Sequence, residues 1–280
     1  MLDVLIDSIL DTLKALPFLF GAYLLIEFLE HRASGKLTKA LAKMGPLGPI
    51  GGAVLGCVPQ CGFSVAAANF YAGRVISLGT LMAVFLATSD EALPILLSRP
   101  DQLPVLLQLI GVKLAAATVV GLLTDLVLKY FLKPSPEKPF EELCADCDCE
   151  HEGIFKSALH HTLHITLFLF LINLLLGMAL FFIGEDAISR FLLSGSVFQP
   201  LLAALIGFIP NCGASVILTE LYVSGSLSFG SAVAGLCTGA GLGLAMLFKV
   251  NRRPKENFCI AGVLYVAAVV TGVVVNLWFG

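Results

Sequence analysis

The chain has 280 residues, of which 58% are hydrophobic and 13% are charged, and its formal net charge is −3. Soluble domains carry roughly a quarter charged residues, and a mean hydropathy of +0.93 would leave a soluble fold with too little polar surface. The composition therefore excludes an ordinary soluble domain and gives no basis for a nucleic-acid partner. It predicts an all-α protein that crosses the lipid bilayer several times.

Two of the apolar segments are interrupted at their centres. A spanning helix needs about 20 apolar residues, and six segments meet that length without interruption. Segments 46–72 and 197–223 instead contain a central Pro-x-Cys-Gly sequence, which leaves arms of about eleven residues, or about 16 Å of helix. Each arm covers half of a bilayer. The apolar segments in chain order are 10–29, 46–72, 75–97, 104–131, 158–183, 197–223, 226–248 and 259–279.

The two interruptions belong to one internal repeat. Pro59–Val65 recurs as Pro210–Val216, and an offset of 151 residues aligns the surrounding sequence without a gap. Among the positions that match are Gly56 with Gly207 and Tyr71 with Tyr222. A duplicated helix-breaking motif within apolar sequence is typical of a transporter built from two repeats around a central site.

The basic residues favour one of two topologies. If both interrupted segments span the membrane, the basic residues of the loops divide between its two sides. If both are re-entrant hairpins, only Arg99 and Arg190 lie apart from the rest, and the positive-inside rule favours this arrangement. Each half then crosses three times, so the second repeat is inverted and both termini lie outside. We predict a first repeat at 1–132, a cytoplasmic linker at 133–157 and a second repeat at 158–280.

At these motifs the chain resembles the family of ten-helix heavy-metal exporters, relatives of the arsenic permeases. The resemblance is carried by Gly-x-x-Pro-x-Cys-Gly-x-Ser in both halves and by the sequence Thr88–Pro94, and it covers essentially the whole chain. It implies ten helices, with the hairpin arms counted separately, and export of a metal or metalloid.

The hairpin tips are the predicted substrate site. Proline and glycine end the first arm, so the second arm begins with unpaired N–H groups and the positive end of a helix dipole. Cys61 and Cys212 lie at this position, where a thiolate and soft-metal binding are favoured. The alternatives are an anion site formed by the paired helix N-termini, and cysteines that are only small buried hydrophobic residues. The other candidate residues are Gln60, Asn211, Ser64, Ser215 and Cys57.

Charged residues within apolar segments are the second predicted site. Asp90 and Glu91 follow Thr88 and Ser89 in an apolar segment, where ionisable residues are functional by default. Lys113 lies at a similar depth, about 14 Å from the outer end, so we expect it to pair with Asp90 or Glu91. The functional interpretation is proton coupling or cation binding, and the alternative is a static ion pair. Glu220, which replaces the Asn69 of the first half, is a further candidate.

The linker between the repeats contains a cluster of metal-ligand residues. Cys144, Cys147, Cys149 and His151 lie within eight residues and have the types and number that a tetrahedral Zn²⁺ or another thiophilic ion requires. Their spacing is tighter than that of structural zinc motifs, so we predict transient metal capture rather than a folded domain. The alternative is a solvated acidic linker.

Three functions remain open from the sequence. The first is a secondary-active, proton-coupled exporter of a soft heavy-metal ion or an arsenical in the cell (inner) membrane. The second is a transporter of an oxyanion such as phosphate, and the third is an intramembrane thiol oxidoreductase. The spacing Cys57-x-x-x-Cys61 does not match the C-x-x-C of such oxidoreductases. We expect no enzymatic activity, no required cofactor, and the bilayer, substrate and protons as partners; a bound Zn²⁺ or other thiophilic ion and a homodimer are left open.

Overall fold

A computed structural model describes residues 47–88, 92–131, 154–183 and 198–279, together with Leu192 and part of the segment 6–24. The described part contains helices and no strand, which confirms the predicted all-α class. Its α-helices are α1 (Gly48–Gly56), α2 (Cys61–Ala72), α3 (Leu78–Ala87), α4 (Ala92–Leu97), α5 (Leu103–Phe131), α6 (Ile154–Ile183), α7 (Gln199–Gly207), α8 (Cys212–Val223), α9 (Phe229–Thr238), α10 (Leu242–Val250) and α11 (Pro254–Phe279).

The helices repeat with the offset of the sequence. Helices α1, α2 and α3 begin and end 151 residues before α7, α8 and α9, and α5 begins 151 residues before α11. Their packing repeats as well: α3 contacts α1 and α5, while α9 contacts α7 and α11. Across the halves, α2 packs against α10 and α8 packs against α4. Each of these contacts therefore has an equivalent when the two halves are exchanged. Helices α3 and α9 meet at the centre.

Each Pro-x-Cys-Gly segment turns the chain back on itself. In the first half, α1 runs parallel to α3, because Gly48 approaches Thr80 near the start of α3 and Gly56 approaches Ala87 at its end. Helix α2 then ends where α3 begins, so it returns to the end from which α1 started. In the second half, the Gln199 side chain bonds the Ser228 N–H at the start of α9, and α7 runs along α9 in the same way.

Two segments that the sequence predicts as continuous spans are each divided into two helices. Helix α3 ends at Ala87 and α4 begins at Ala92, where Pro94 in the first turn cannot donate a hydrogen bond to the preceding turn. Helix α9 ends before Gly239, and α10 begins after Gly241, whose backbone has φ 54° and ψ −140°. A side chain would be strained in that conformation, so glycine allows the break.

The divided helices form the centre, and the long helices surround it. Within the described residues, four helical segments are long and apolar enough to cross a membrane: Leu78–Leu97, Pro100–Tyr130, Phe229–Val250 and Pro254–Phe279. In the most apolar 18-residue stretch of Phe229–Val250, 89% of the residues are buried. In the corresponding stretches of Pro100–Tyr130 and Pro254–Phe279, only 28% are buried. The outer helices expose large apolar side chains such as Trp278, as expected for surfaces that face lipid. The chain is thus a multi-pass membrane protein.

Gly207→Ala tests the close approach of the second hairpin to the broken helix. A Cβ atom at Gly207 would lie 2.0 Å from the Gly235 carbonyl oxygen and 2.2 Å from the Thr238 hydroxyl oxygen, so α7 and α9 would have to separate. We expect the free energy of unfolding to fall by about 1–3 kcal/mol, measured as a lower melting temperature in detergent.

Gly51→Ala is the matched control, because a Cβ atom there meets no heavy atom within 4 Å. Its melting temperature should stay unchanged or rise slightly, since alanine has the higher helix propensity. Equal losses in the two variants would contradict the close packing of α7 on α9.

Candidate functional site

The tip of the first hairpin places a thiol at the start of a half-length helix. Gln60 is the N-cap of α2 with an extended backbone (φ −157°, ψ 112°), and its side chain makes no capping hydrogen bond. Cys61 is the first residue of α2 and is 6% exposed. One turn later, the buried Ser64 hydroxyl donates to the Cys61 carbonyl oxygen at 2.8 Å. Cys57 is half-buried and ends α1 on the other side of the tip.

The tip of the second hairpin has the same backbone and a different polar network. Cys212 is the first residue of α8 and is 7% exposed. The Asn211 side-chain oxygen accepts from the Gly213 N–H at 2.7 Å and so caps α8. Its amide group donates to the Asn173 side-chain oxygen on α6 at 2.6 Å. The Asn211 side chain is therefore fixed by protein contacts on both of its ends.

Both tips approach the break between α9 and α10. A Cβ atom at Gly243 would lie 2.6 Å from the Ser64 Cβ, so the first hairpin is pressed against the start of α10. A Cβ atom at Gly239 would lie 3.5 Å from the Ser215 hydroxyl oxygen of the second hairpin. Gly239 and Gly243 are four residues apart, so at most about 14 Å of extended chain separates the two contacts. Elements of both halves thus converge on one short glycine-rich segment.

The break between α3 and α4 holds the second group of predicted residues. Thr88 is the C-cap of α3, is buried, and donates its hydroxyl to the Val84 carbonyl oxygen. Lys113 on α5 is fully buried, and its ammonium donates to the Thr88 carbonyl oxygen. Ser89, Asp90 and Glu91 lie outside the described residues. The predicted pairing of Lys113 with one of these acids therefore stays a prediction.

Glu220 lies in an ion pair near the open end of the second hairpin. Its carboxylate oxygens each accept from the Arg99 guanidinium at 2.9 Å. Arg99 directly follows the turn after α4, so this pair joins the second hairpin to the first half of the chain. Both side chains are partly exposed, which places Glu220 away from the buried hairpin tips.

A second ion pair joins the first hairpin to the second half. Arg74, which follows α2 and has φ 57°, donates to the Glu256 carboxylate at the start of α11 at 3.0 Å. The Tyr71 hydroxyl also donates to Glu256, and the guanidinium lies 5.2 Å from the Tyr71 ring centre. Burial alone would lower the pKa of Arg74, but hydrogen bonding to Glu256 raises it above its usual value. Arg74 and Arg99 lie at opposite ends of the Leu78–Leu97 segment.

The described residues contain no group of three or more His, Cys, Asp or Glu side chains that could hold a metal ion. The five cysteines in this part of the chain are thiols rather than disulfides: Cys57, Cys61, Cys212, Cys237 and Cys259. Cys61 and Cys212 thus place one thiol at each hairpin tip. The predicted linker ligands Cys144, Cys147, Cys149 and His151 lie outside the described residues.

The structure adds residues that the sequence analysis did not select. Asn173 is a polar residue in the apolar segment 158–183, and its depth in the membrane was a signal that could have identified it. The Tyr23 hydroxyl similarly bonds the buried Asn69 side chain at 2.6 Å. Arg74 and Glu256 gave no local signal, because each lies near a segment end where charged residues are common.

A family model described as "Putative, 10TM heavy-metal exporter" matches residues 1–185 and 180–280. The two matches together cover the chain, so the chain belongs to this family. No curated protein and no solved structure matches the chain.

A double-mutant cycle with Arg74→Met and Glu256→Gln tests the ion pair at the first hairpin. The side chains are 20% and 24% exposed and share two hydrogen bonds, so we expect a coupling energy of about 1 kcal/mol from melting temperatures. The Arg253–Glu256 pair is the control, because its charges are 3.8 Å apart and Arg253 is more exposed. A coupling as large for Arg253 as for Arg74 would show that the geometry has been misassigned.

Proposed function

We propose that this member of the heavy-metal exporter family is a secondary-active transporter that moves a soft heavy-metal ion or an arsenical out of the cell. The observation that carries the proposal is the convergence of both hairpin tips on the break between α9 and α10. Ser64 and Ser215 each lie one turn after a tip cysteine, and both approach the segment Gly239–Gly243. A central chamber shared by the two halves is the usual position of a substrate site in such transporters.

The chemistry of the tips supports a soft substrate. Cys61 and Cys212 each occupy the first position of a half-length helix, so each tip carries one sulfur ligand. Thiolates bind thiophilic metals and metalloids in preference to hard cations. Cys57 provides a third sulfur at the first tip, where the second half has Phe208. Gln60, Asn211, Ser64 and Ser215 supply polar groups around these sulfurs.

The contacts at the second tip favour a metal over an oxyanion. An anion site at a helix N-terminus requires N–H groups that are available to the ligand. In α8 the Gly213 N–H already donates to the Asn211 side chain, whose amide is bound to Asn173. The feature that both tips share is a cysteine at the first position of the second arm, and at this tip it is Cys212. The paired N-termini are therefore a weaker basis for the site than the paired thiols.

The two ion pairs support an inverted arrangement of the repeats and a route for alternating access. Arg74–Glu256 lies where the first hairpin opens, and Arg99–Glu220 lies where the second hairpin opens. The Leu78–Leu97 segment separates the two pairs, which supports the proposal that the two hairpins enter from opposite sides of the membrane. Each pair then closes one entrance to the chamber, and transport requires them to break in turn.

Proton coupling is proposed to depend on the acids that follow Thr88. Asp90 and Glu91 belong to the segment between α3 and α4, and an ionisable group at this depth is costly unless it is used. Protonation of a carboxylate that also contacts Lys113 would link the proton gradient to the broken helix. Ser89 adds a hydroxyl beside these acids. In the linker, Cys144, Cys147, Cys149 and His151 would capture the ion on the cytoplasmic side before it enters.

Cys61→Ser and Cys212→Ser test the choice of substrate. Serine retains the size and the backbone geometry but removes the soft ligand. We expect counterflow of Zn²⁺, arsenite or methylarsenite in proteoliposomes to fall at least about tenfold in either variant, since a coordinating atom is lost. Under the oxyanion alternative, phosphate counterflow would instead persist in both variants. Cys259→Ser, at an exposed position on α11, is the control and should retain metal counterflow. Persistence of metal counterflow in both tip variants would refute the thiol site.

Asp90→Asn and Glu91→Gln test proton coupling. We expect at least one of them to abolish metal transport driven by a pH gradient while counterflow without a gradient continues, because exchange needs no net proton movement. Asp101→Asn, in the exposed turn before α5, is the matched control and should retain gradient-driven transport. If both acid variants still respond to the gradient as the unmodified protein does, the coupling role is wrong.

A further inference from the structure

The position of Lys113 is unusual for a lysine in a membrane protein. It lies ten residues into α5, about 15 Å from the start of the helix, and no part of it is exposed. At the middle of a bilayer an ammonium is costly unless it is paired or hydrogen-bonded. The structure gives it partners from both halves of the chain: the carbonyl oxygens of Thr88 and, at 2.7 Å, Leu236.

These carbonyl groups are available because the helices are broken. In a continuous helix the Leu236 carbonyl would accept from the N–H four residues later, at Ala240. The Ala240 N–H instead bonds the Thr238 carbonyl oxygen, so the Leu236 carbonyl is released toward α5. Thr88 is the C-cap of α3, and its carbonyl lies beyond the last helical turn. Lys113 therefore binds the C-terminal ends of two half-length helices.

Two helix C-termini at one point create a site for a cation. Each carries the negative end of a helix dipole as well as unpaired carbonyl groups. In transporters with broken helices, such carbonyl ends coordinate Na⁺ or protons. Here the two repeats supply two helix C-termini but only one lysine. The residue equivalent to Lys113 in the second half is the buried Leu264. A single ammonium thus serves both halves.

We propose that the Lys113 ammonium is the resident cation of this site and occupies the place that a bound Na⁺ takes in other broken-helix transporters. The site takes a monovalent cation that can donate hydrogen bonds to the carbonyls of α3 and α9. By binding both, Lys113 fixes the two broken helices to α5.

This inference deepens the proposed function, because it makes α3 and α9 move as one unit and makes transport independent of Na⁺. Its link to transport rests on the transporter role proposed above. The cation site itself rests on the hydrogen bonds of Lys113 and on the helix ends, and it can be tested on the purified protein without any measurement of transport.

Chemical rescue of Lys113→Ala tests the site. The substitution removes three carbons and the ammonium, a fragment that n-propylammonium replaces. We expect the melting temperature in detergent to fall by about 5–10 °C, because buried carbonyl groups lose their partner. Added n-propylammonium should restore most of this loss with saturation. Tetramethylammonium has the charge but no N–H donor, and propanol has no charge, so neither should restore it.

Leu264→Ala is the matched control at the related position of α11. It also opens a buried cavity, but n-propylammonium should not raise its melting temperature, because no carbonyl pair is left without a cation. If Lys113→Ala does not fold alone, its yield of monodisperse protein is measured after membrane extraction with and without n-propylammonium, and a higher yield is expected. Absence of rescue in both measurements, or equal rescue of Leu264→Ala, would overturn the proposal. Rescue of stability in a protein that transports no metal would instead overturn the proposed function.

Discussion

The structure depends on the requirement that backbone groups within a lipid bilayer find partners in the protein. The chain interrupts its helices at both hairpin tips, after α3 and after α9, and every interruption exposes N–H or carbonyl groups at membrane depth. Lipid cannot bind them, so the interrupted elements pack together at the centre while α5 and α11 face outward. Lys113 binds carbonyls released by two of the breaks, and Asn211 caps the helix that begins at another. The polar centre of the protein is a consequence of these breaks.

The two halves share a scaffold but differ in chemistry. Helix bounds and packing pairs repeat with one offset, which provides matching tips, matching breaks and a common centre. Several polar or charged side chains are present in only one repeat. At the equivalent positions, Lys113 has Leu264 as its counterpart, Cys57 has Phe208, and Glu220 replaces Asn69. A symmetric frame allows two equivalent conformations of opposite orientation. The unequal residues make the centre of the protein chemically asymmetric within that frame, so the two halves share a fold without sharing every side chain.

The sequence predicted what depends on local chemistry. Proline and glycine beside Cys61 and Cys212 determine where the hairpins turn, and the repeat follows from residue identity alone. The breaks in 75–97 and 226–248 were missed because both segments are apolar enough to span, and glycine is as common in closely packed helices as in broken ones. The partners of Lys113 and Glu220 could not be predicted, since carbonyl groups and arginines distant in sequence become neighbours only after the helices pack. The membrane class and the family needed only composition and motifs.

The most direct measurement is X-ray absorption of Zn²⁺ bound to purified protein in which the linker cysteines Cys144, Cys147 and Cys149 are replaced by serine. If the two tips face one chamber, the metal has at least two sulfur neighbours at about 2.3 Å, and replacing either Cys61 or Cys212 removes one of them. A first shell of nitrogen and oxygen alone, or a sulfur count that neither substitution changes, would contradict a substrate site formed by both hairpins.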